Sequence, residues 1–186
     1  MANFLLVPLT INYLDTENYG IWLTLSSFIA WFSFFDIGLG NGLRNKFAEA
    51  KANGDLTLAR AYVSSAYFTI GSVCLFLMIA FICINFFINW TLVFNADFKL
   101  QKELGLLMPI VFSFFCLQLV AKLITTIYAA DQHHSMQGRI NFFVSVLSLL
   151  VLWIIIHTLE SSLLLFGLIY SALPVFILLI VSFFAF

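Results

Sequence analysis

The segment Tyr19–Asn53, YGIWLTLSSFIAWFSFFDIGLGNGLRNKFAEAKAN, passes from hydrocarbon to water within one continuous run. It opens as an apolar helix, carries a carboxylate at Asp36, continues through Gly38, Gly40 and Gly42, and ends among Arg44, Lys46, Glu49 and Lys51. A bilayer core takes roughly 20 apolar residues to cross as a helix, and the part before Asn41 is long enough. Arg44, Lys46, Lys51 and Arg60 assign the charged end to the cytoplasmic side, because inner loops retain Lys and Arg. The direction of every later crossing follows from this one.

Composition agrees with that reading. Hydrophobic residues make up 63% of the 186-residue chain and charged residues 9%, with a mean hydropathy of +1.07. Soluble domains carry about 25% charged residues, so this is an integral membrane protein. Its apolar runs are long and continuous, which favours an all-α helical bundle over a barrel of short alternating strands. A net charge of −1 offers nucleic acid no electrostatic footing. Cys74, Cys83 and Cys116 fall inside apolar runs and read as small packing residues.

Taken in order, the chain predicts a single transmembrane bundle over 1–186, a polytopic membrane protein with about six helices at 1–14, 19–41, 61–90, 106–129, 140–156 and 163–186. The segment 42–53, with Leu43, Phe47 and Ala50 at helical spacing between charges, reads as an amphipathic helix on the inner surface. Met1–Leu14 is shorter than a full crossing and lacks the basic region of a signal peptide. It reads as a truncated first helix, and the chain as a fragment of a larger protein. Asp55 is placed to cap the third helix. The links 15–18 and 157–162 carry no Lys or Arg and read as outer loops, as does 91–105 with its mixed charges. The segment Asp131–Arg139 reads as an inner loop.

The chain shows no phosphate-binding glycine loop, no Cys and His cluster at metal spacing, and no nucleophile with a base. An enzyme is not expected, nor a cofactor or metal; His133-His134 reads as a polar loop. What stands out is polar residues on single helix faces. Trp22, Ser26, Ser33, Asp36 and Gly40 share one face of the second helix, and Tyr67, Gly71, Cys74, Met78 and Asn85 one face of the third. Gln118, Lys122 and Thr125 align in the fourth, and Asn141, Ser145 and Ser148 in the fifth. Small polar residues also mark plain helix contacts in membranes. Charges at membrane depth are costly and face partners or cavities, which gives Asp36 and Lys122 more weight. Each lies roughly 25 Å below the outer boundary at about 1.5 Å per residue, so the two are expected to pair.

The run Asn12-Tyr13-Leu14, Tyr19-Gly20-Ile21-Trp22 and Asp36-Ile37-Gly38-Leu39-Gly40-Asn41-Gly42-Leu43-Arg44-Asn45-Lys46, followed by Ala48-Glu49-Ala50 and Tyr62-Val63-Ser64, resembles the amino-terminal part of Wzx-type polysaccharide flippases. These belong to the multidrug, oligosaccharidyl-lipid and polysaccharide exporter (MOP) superfamily. The resemblance implies one lobe of a two-lobed, MATE-like transporter that works by alternating access in the bacterial inner membrane. Its implied cargo is an undecaprenyl-pyrophosphate-linked oligosaccharide, such as an O-antigen repeat unit of lipopolysaccharide. The implied partners are the bilayer, that lipid-linked substrate, a coupling proton or sodium ion, and a second lobe or a second copy. On this reading Ser33, Asp36, Asn41, Arg44, Gln118, Lys122, Thr125 and Asn141 line the substrate path. Their hydroxyls and amides would bond sugar, and Lys122 or Arg44 would meet phosphate. A drug or metabolite exporter of the same superfamily, or an inert membrane remnant, are the competing readings.

The charge distribution predicts Ala48 inside and Glu160 outside. In a cysteine-free background, Ala48→Cys should resist a membrane-impermeant thiol reagent applied to intact cells and Glu160→Cys should react. The reverse pattern would invert the map.

Overall fold

A computed structural model describes residues 2–131, 134–158 and 160–185, except the side chains of residues 2–7, 9, 28–29, 31–39, 134 and 184–185. It is 91% helical, without strands among the described residues. The chain is an all-α polytopic membrane protein. Four stretches are long and apolar enough to cross a bilayer: Leu56–Asn85, Phe98–Ala130, Ser135–Thr158 and Leu163–Phe183. The two further crossings expected before residue 42 lie largely among the side chains not described.

The first helix, α1 (Ala2–Ala52), is helical throughout except at Asp15, where φ 56° and ψ 174° divide it into two legs. A non-glycine residue rarely adopts such a conformation, which costs about 1–3 kcal/mol. Here the Asp15 carboxylate accepts from the Asn18 backbone N–H at 2.9 Å and from Asn18 Nδ2 at 3.1 Å, capping the second leg. The backbone stays helical through Gly38, Gly40 and Gly42. The segment 42–53 is therefore the continuation of α1 and not a separate surface helix. Its apolar stripe is used inside the bundle: Leu43 is 6% exposed and packs with Ile70, Cys74 and Leu123. Beside it, Glu49 accepts from Lys46 Nζ at 3.0 Å. That bond and the Glu49 charge hold the Lys46 ammonium above its ordinary pKa.

The second helix, α2 (Leu56–Asn85), starts at its Asp55 cap, whose carboxylate accepts from the Leu58 N–H at 2.8 Å. It ends at Asn85, short of the expected Trp90, which instead opens the short helix α3 (Trp90–Phe94). A single 3₁₀ turn (Phe98–Leu100) then leads into α4 (Gln101–Ala121). Lys122, itself with helical dihedrals, joins α4 to α5 (Leu123–Ala130). The last two helices are α6 (His134–Thr158) and α7 (Leu163–Ala185).

The acidic residues of the links 15–18 and 91–105 secure helix starts and turns. Glu103 accepts from the Leu164 N–H at 3.0 Å at the start of α7, and Glu17 accepts from the Asp97 N–H at 3.2 Å. Carboxylates at helix N-termini also meet the positive end of the helix dipole. Tyr13 closes this end by donating from its hydroxyl to the Glu160 carbonyl at 2.6 Å. At the opposite end, Lys51 forms an ion pair with Asp131 and ties α1 to the end of α5.

Below the outer links, α7 lies close on α4. A Cβ on Gly167 would fall 2.6 Å from Leu107 Cδ1 and 3.3 Å from Trp22 Cζ3. Trp22 meets Phe166 edge-on with ring centres 5.1 Å apart. Leu104, Leu107, Leu163 and Phe166 are at most 1% exposed in this outer core.

Asn85 has a specific task. Pro109 interrupts α4 and has no N–H to give to the carbonyl four residues back, that of Gly105. Asn85 Nδ2 donates to that carbonyl at 3.0 Å, while Asn85 Oδ1 accepts from Trp90 Nε1 at 2.8 Å. Asn85→Leu would leave a carbonyl and an indole N–H without partners, at about 1–3 kcal/mol each. We expect a clearly lower thermal midpoint in detergent, with Asn85→Asp losing the Gly105 bond but keeping the one to Trp90. An unchanged midpoint for Asn85→Leu would show that neither bond supports the fold.

Candidate functional site

The polar faces of four helices meet in one cleft of about 320 Å³. The second leg of α1 contributes Trp22, Ser26 and Ala30; α4 contributes Val111, Phe115 and Gln118; α6 contributes Val144, Ser145 and Ser148; α7 contributes Tyr170, Ser171 and Pro174. Its upper wall is aromatic. Trp22 packs edge-on against Tyr170 at 5.0 Å and Phe166 stacks on Tyr170 at 5.9 Å. Its other walls are small hydroxyl side chains and aliphatic groups.

The hydrogen-bonding state of this lining defines its chemistry. Ser26 donates to the Trp22 carbonyl, Ser145 to the Asn141 carbonyl at 2.9 Å, and Ser171 to the Gly167 carbonyl at 2.7 Å. Each is satisfied on its own helix in the back-bonded manner of helical serines. Each still offers oxygen lone pairs. The Ser148 hydroxyl is enclosed and has no hydrogen-bond partner among the described residues. Pro174 adds an acceptor, since it withholds the N–H that would occupy the Tyr170 carbonyl. Among the described lining residues none is Asp, Glu, Lys, Arg or His. These residues are uncharged and rich in donors and acceptors, which suits hydroxyl and amide groups.

The expected path residues divide. Gln118 lines the cleft, joined by Ser26, Ser145 and Ser148 from the same polar stripes. Thr125 is 3% exposed, and its hydroxyl donates to the Lys122 carbonyl at 2.7 Å, so it serves the α4–α5 junction. Lys122, Asn41, Arg44 and Asn141 are exposed and do not line the cleft. The side chains of Ser33 and Asp36 lie outside the described residues, as does the expected Asp36–Lys122 pair. Of the His133-His134 loop reading, His133 falls there as well, whereas the backbone of His134 is the first residue of α6 and so helical. Among the described residues no group of His, Cys, Asp or Glu is placed to hold a metal.

Tyr170 and Ser171 went unread in the sequence. The signal was present: Gly167, Tyr170, Ser171 and Pro174 recur at helical spacing in an otherwise apolar run. The third-helix stripe does not join this cleft. Cys74 packs in the core between α2 and α4, and Asn85 serves the outer end.

Fold and cleft thus define a helical membrane protein with a polar recess between its spans. A protein of Yersinia pseudotuberculosis described as a putative O-antigen export protein is 34% identical over 50 residues, which is 27% of this chain and 11% of that protein. The match is partial and points loosely toward polysaccharide export. No family model matches the chain, and no solved structure matches it.

An enclosed hydroxyl without a partner adds nothing to folding. Ser148→Ala should therefore leave the thermal midpoint unchanged or raise it. Ser171→Val, which overfills a buried site beside Gly167, should lower stability by about 1–3 kcal/mol. A drop for Ser148→Ala equal to that of Ser171→Val would show that the Ser148 hydroxyl is bonded in the folded protein.

Proposed function

We propose that this chain forms one wall of a bacterial inner-membrane exporter that carries a lipid-linked oligosaccharide between leaflets. A sugar head group cannot enter hydrocarbon unaided, because its hydroxyls would lose their hydrogen bonds. The cleft offers replacement partners: the Gln118 amide, the Ser148 hydroxyl, the serine lone pairs and the Tyr170 carbonyl. That lining is the observation that carries the reading, and the partial match to an O-antigen export protein supplies the class. Such an exporter makes and breaks no covalent bond, so no enzymatic step is proposed.

Alternating access needs one structural unit to move against another around a shared site. In this proposal a second lobe or a second copy provides the facing wall, and a proton or sodium ion drives the exchange. Arg44, which is exposed, then stands where it can meet a pyrophosphate. A second reading, export of a small amphipathic compound, is favoured by the modest 320 Å³ volume and by the aliphatic side formed by Val111, Val144 and Pro174.

The two readings separate in a strain lacking its O-antigen exporter. With its complementary lobe supplied, the chain should restore surface polysaccharide, and Gln118→Leu should lower the yield several-fold at equal protein level. Residues 1–186 expressed alone should leave the strain unrestored. Efflux of a cationic dye that responds to Gln118→Leu, with polysaccharide unaffected, would favour the second reading and overturn the first.

A further inference from the structure

A second cleft, of about 640 Å³, shares no lining residue with the first. It lies between α1, α2, the α4–α5 junction and α7, nearer the end of the bundle that carries Lys51 and Asp131. Along α7 it is lined by Leu179 and Ser182, whereas the first cleft ends at Pro174. Its volume falls within the roughly 300–1,000 Å³ typical of ligand sites. Phe47, Val63, Val120, Ala121, Ile127 and Leu179 make its walls apolar.

Apart from Ser182 on α7, the polar groups of this cleft sit on one face of α2. Arg60, Ser64 and Tyr67 recur at helical spacing from the cytoplasmic end inward. Arg60 is exposed and forms no ion pair among the described residues. Nearby cations are differently placed: Lys46 is paired with Glu49 and Lys51 with Asp131. Deeper in, the Tyr67 hydroxyl is enclosed and has no hydrogen-bond partner among the described residues. Ser182 spends its proton on the Leu178 carbonyl at 2.9 Å.

We propose that this cleft holds an anionic phospholipid of the inner leaflet. The phosphate sits at Arg60, one acyl chain lies along the apolar walls, and the Tyr67 hydroxyl donates to a glycerol-ester carbonyl. Each part of the lipid has its counterpart in the cleft: a cation at the mouth, an unused donor below it, and hydrocarbon beyond. Basic pockets between spans on the cytoplasmic side hold lipid head groups in this way. A free phosphate would satisfy Arg60 and leave the apolar walls uncovered. The surrounding bilayer supplies the lipid at the mouth, and the site does not depend on what the first cleft carries.

Native mass spectrometry of the full chain tests the proposal, with palmitoyl-oleoyl phosphatidylglycerol and the matching phosphatidylcholine as probes. The wild type should retain phosphatidylglycerol about fivefold better, the preference one basic residue confers at about 1 kcal/mol. Arg60→Gln should abolish that preference and Arg60→Lys should keep most of it. Ser64→Trp, which fills the mouth from an exposed position, should lower retention of both lipids. Lys99→Gln, in the outer link, should change neither. A thermal midpoint for each variant separates lost binding from lost folding. Retention by a folded Arg60→Gln equal to the wild type would overturn the proposal. So would displacement of the lipid by inorganic phosphate, or a dimer that Ser64→Trp dissolves, which would assign the cleft to a second copy.

Discussion

In hydrocarbon every backbone N–H and C=O must find a partner within the protein, and the two prolines of α4 and α7 place the bundle's main features by breaking that rule. Pro109 frees the Gly105 carbonyl, and Asn85 reaches across from α2 to occupy it. Because the same amide also holds the Trp90 indole, the end of α2, the short α3 and the start of α4 become one hydrogen-bonded corner. Pro174 creates the same deficiency at the Tyr170 carbonyl. Among the described residues no side chain donates to it, and both residues line the first cleft. One proline is thus resolved by structure, and the other leaves its acceptor without a side-chain donor among the described residues.

Side-chain size decides why a recess exists there at all. Above it, the absence of a side chain at Gly167 lets α7 settle against Leu107 and Trp22, and Leu107 and Phe166 fill the space at 0% and 1% exposure. Below it, the facing positions are Ser26, Ala30, Ser145, Ser148 and Ser171. Close approach set by one glycine, followed by several small residues among the larger lining side chains, leaves an open volume between the described residues. Interiors are packed tightly enough that such a gap is uncommon without cause. The aromatic pair Trp22 and Tyr170 forms the boundary between the packed and open levels.

The four long apolar spans from Leu56 onward were legible in the sequence because run length and hydropathy are local properties. The polar stripes of α1, α4 and α6 were legible too, since period 3.6 identifies a face. Periodicity does not say what a face meets. Thr125 lies on the stripe of Gln118 yet turns its hydroxyl to its own backbone, and Lys122, on that stripe as well, is exposed. The α2 stripe is shared among three jobs: Asn85 at the outer corner, Cys74 in the core and Tyr67 at the second cleft. Asp15 illustrates the converse. Its acidic character marked a link, but a positive φ at a residue without glycine's freedom comes from tertiary packing and its own capping bonds, which no local pattern encodes.

The division of charge between the two clefts bears on how a head group and its lipid could be handled together. A fixed charge inside a spanning bundle binds its counter-ion strongly and releases it slowly, since the low dielectric magnifies the attraction. A lining of back-bonded serines behaves differently. Each hydroxyl can turn from its own carbonyl to an incoming group and back, exchanging one hydrogen bond for another of similar strength. Such a surface can hold a polar head group without trapping it, which passage requires. The cation, by contrast, stands at the mouth of the apolar cleft, where Arg60 keeps its charge near water and extends its stem along the wall. On the proposed function, the uncharged described residues of the first cleft and the cation of the second would let a sugar move while a phosphate is held at the bundle's edge.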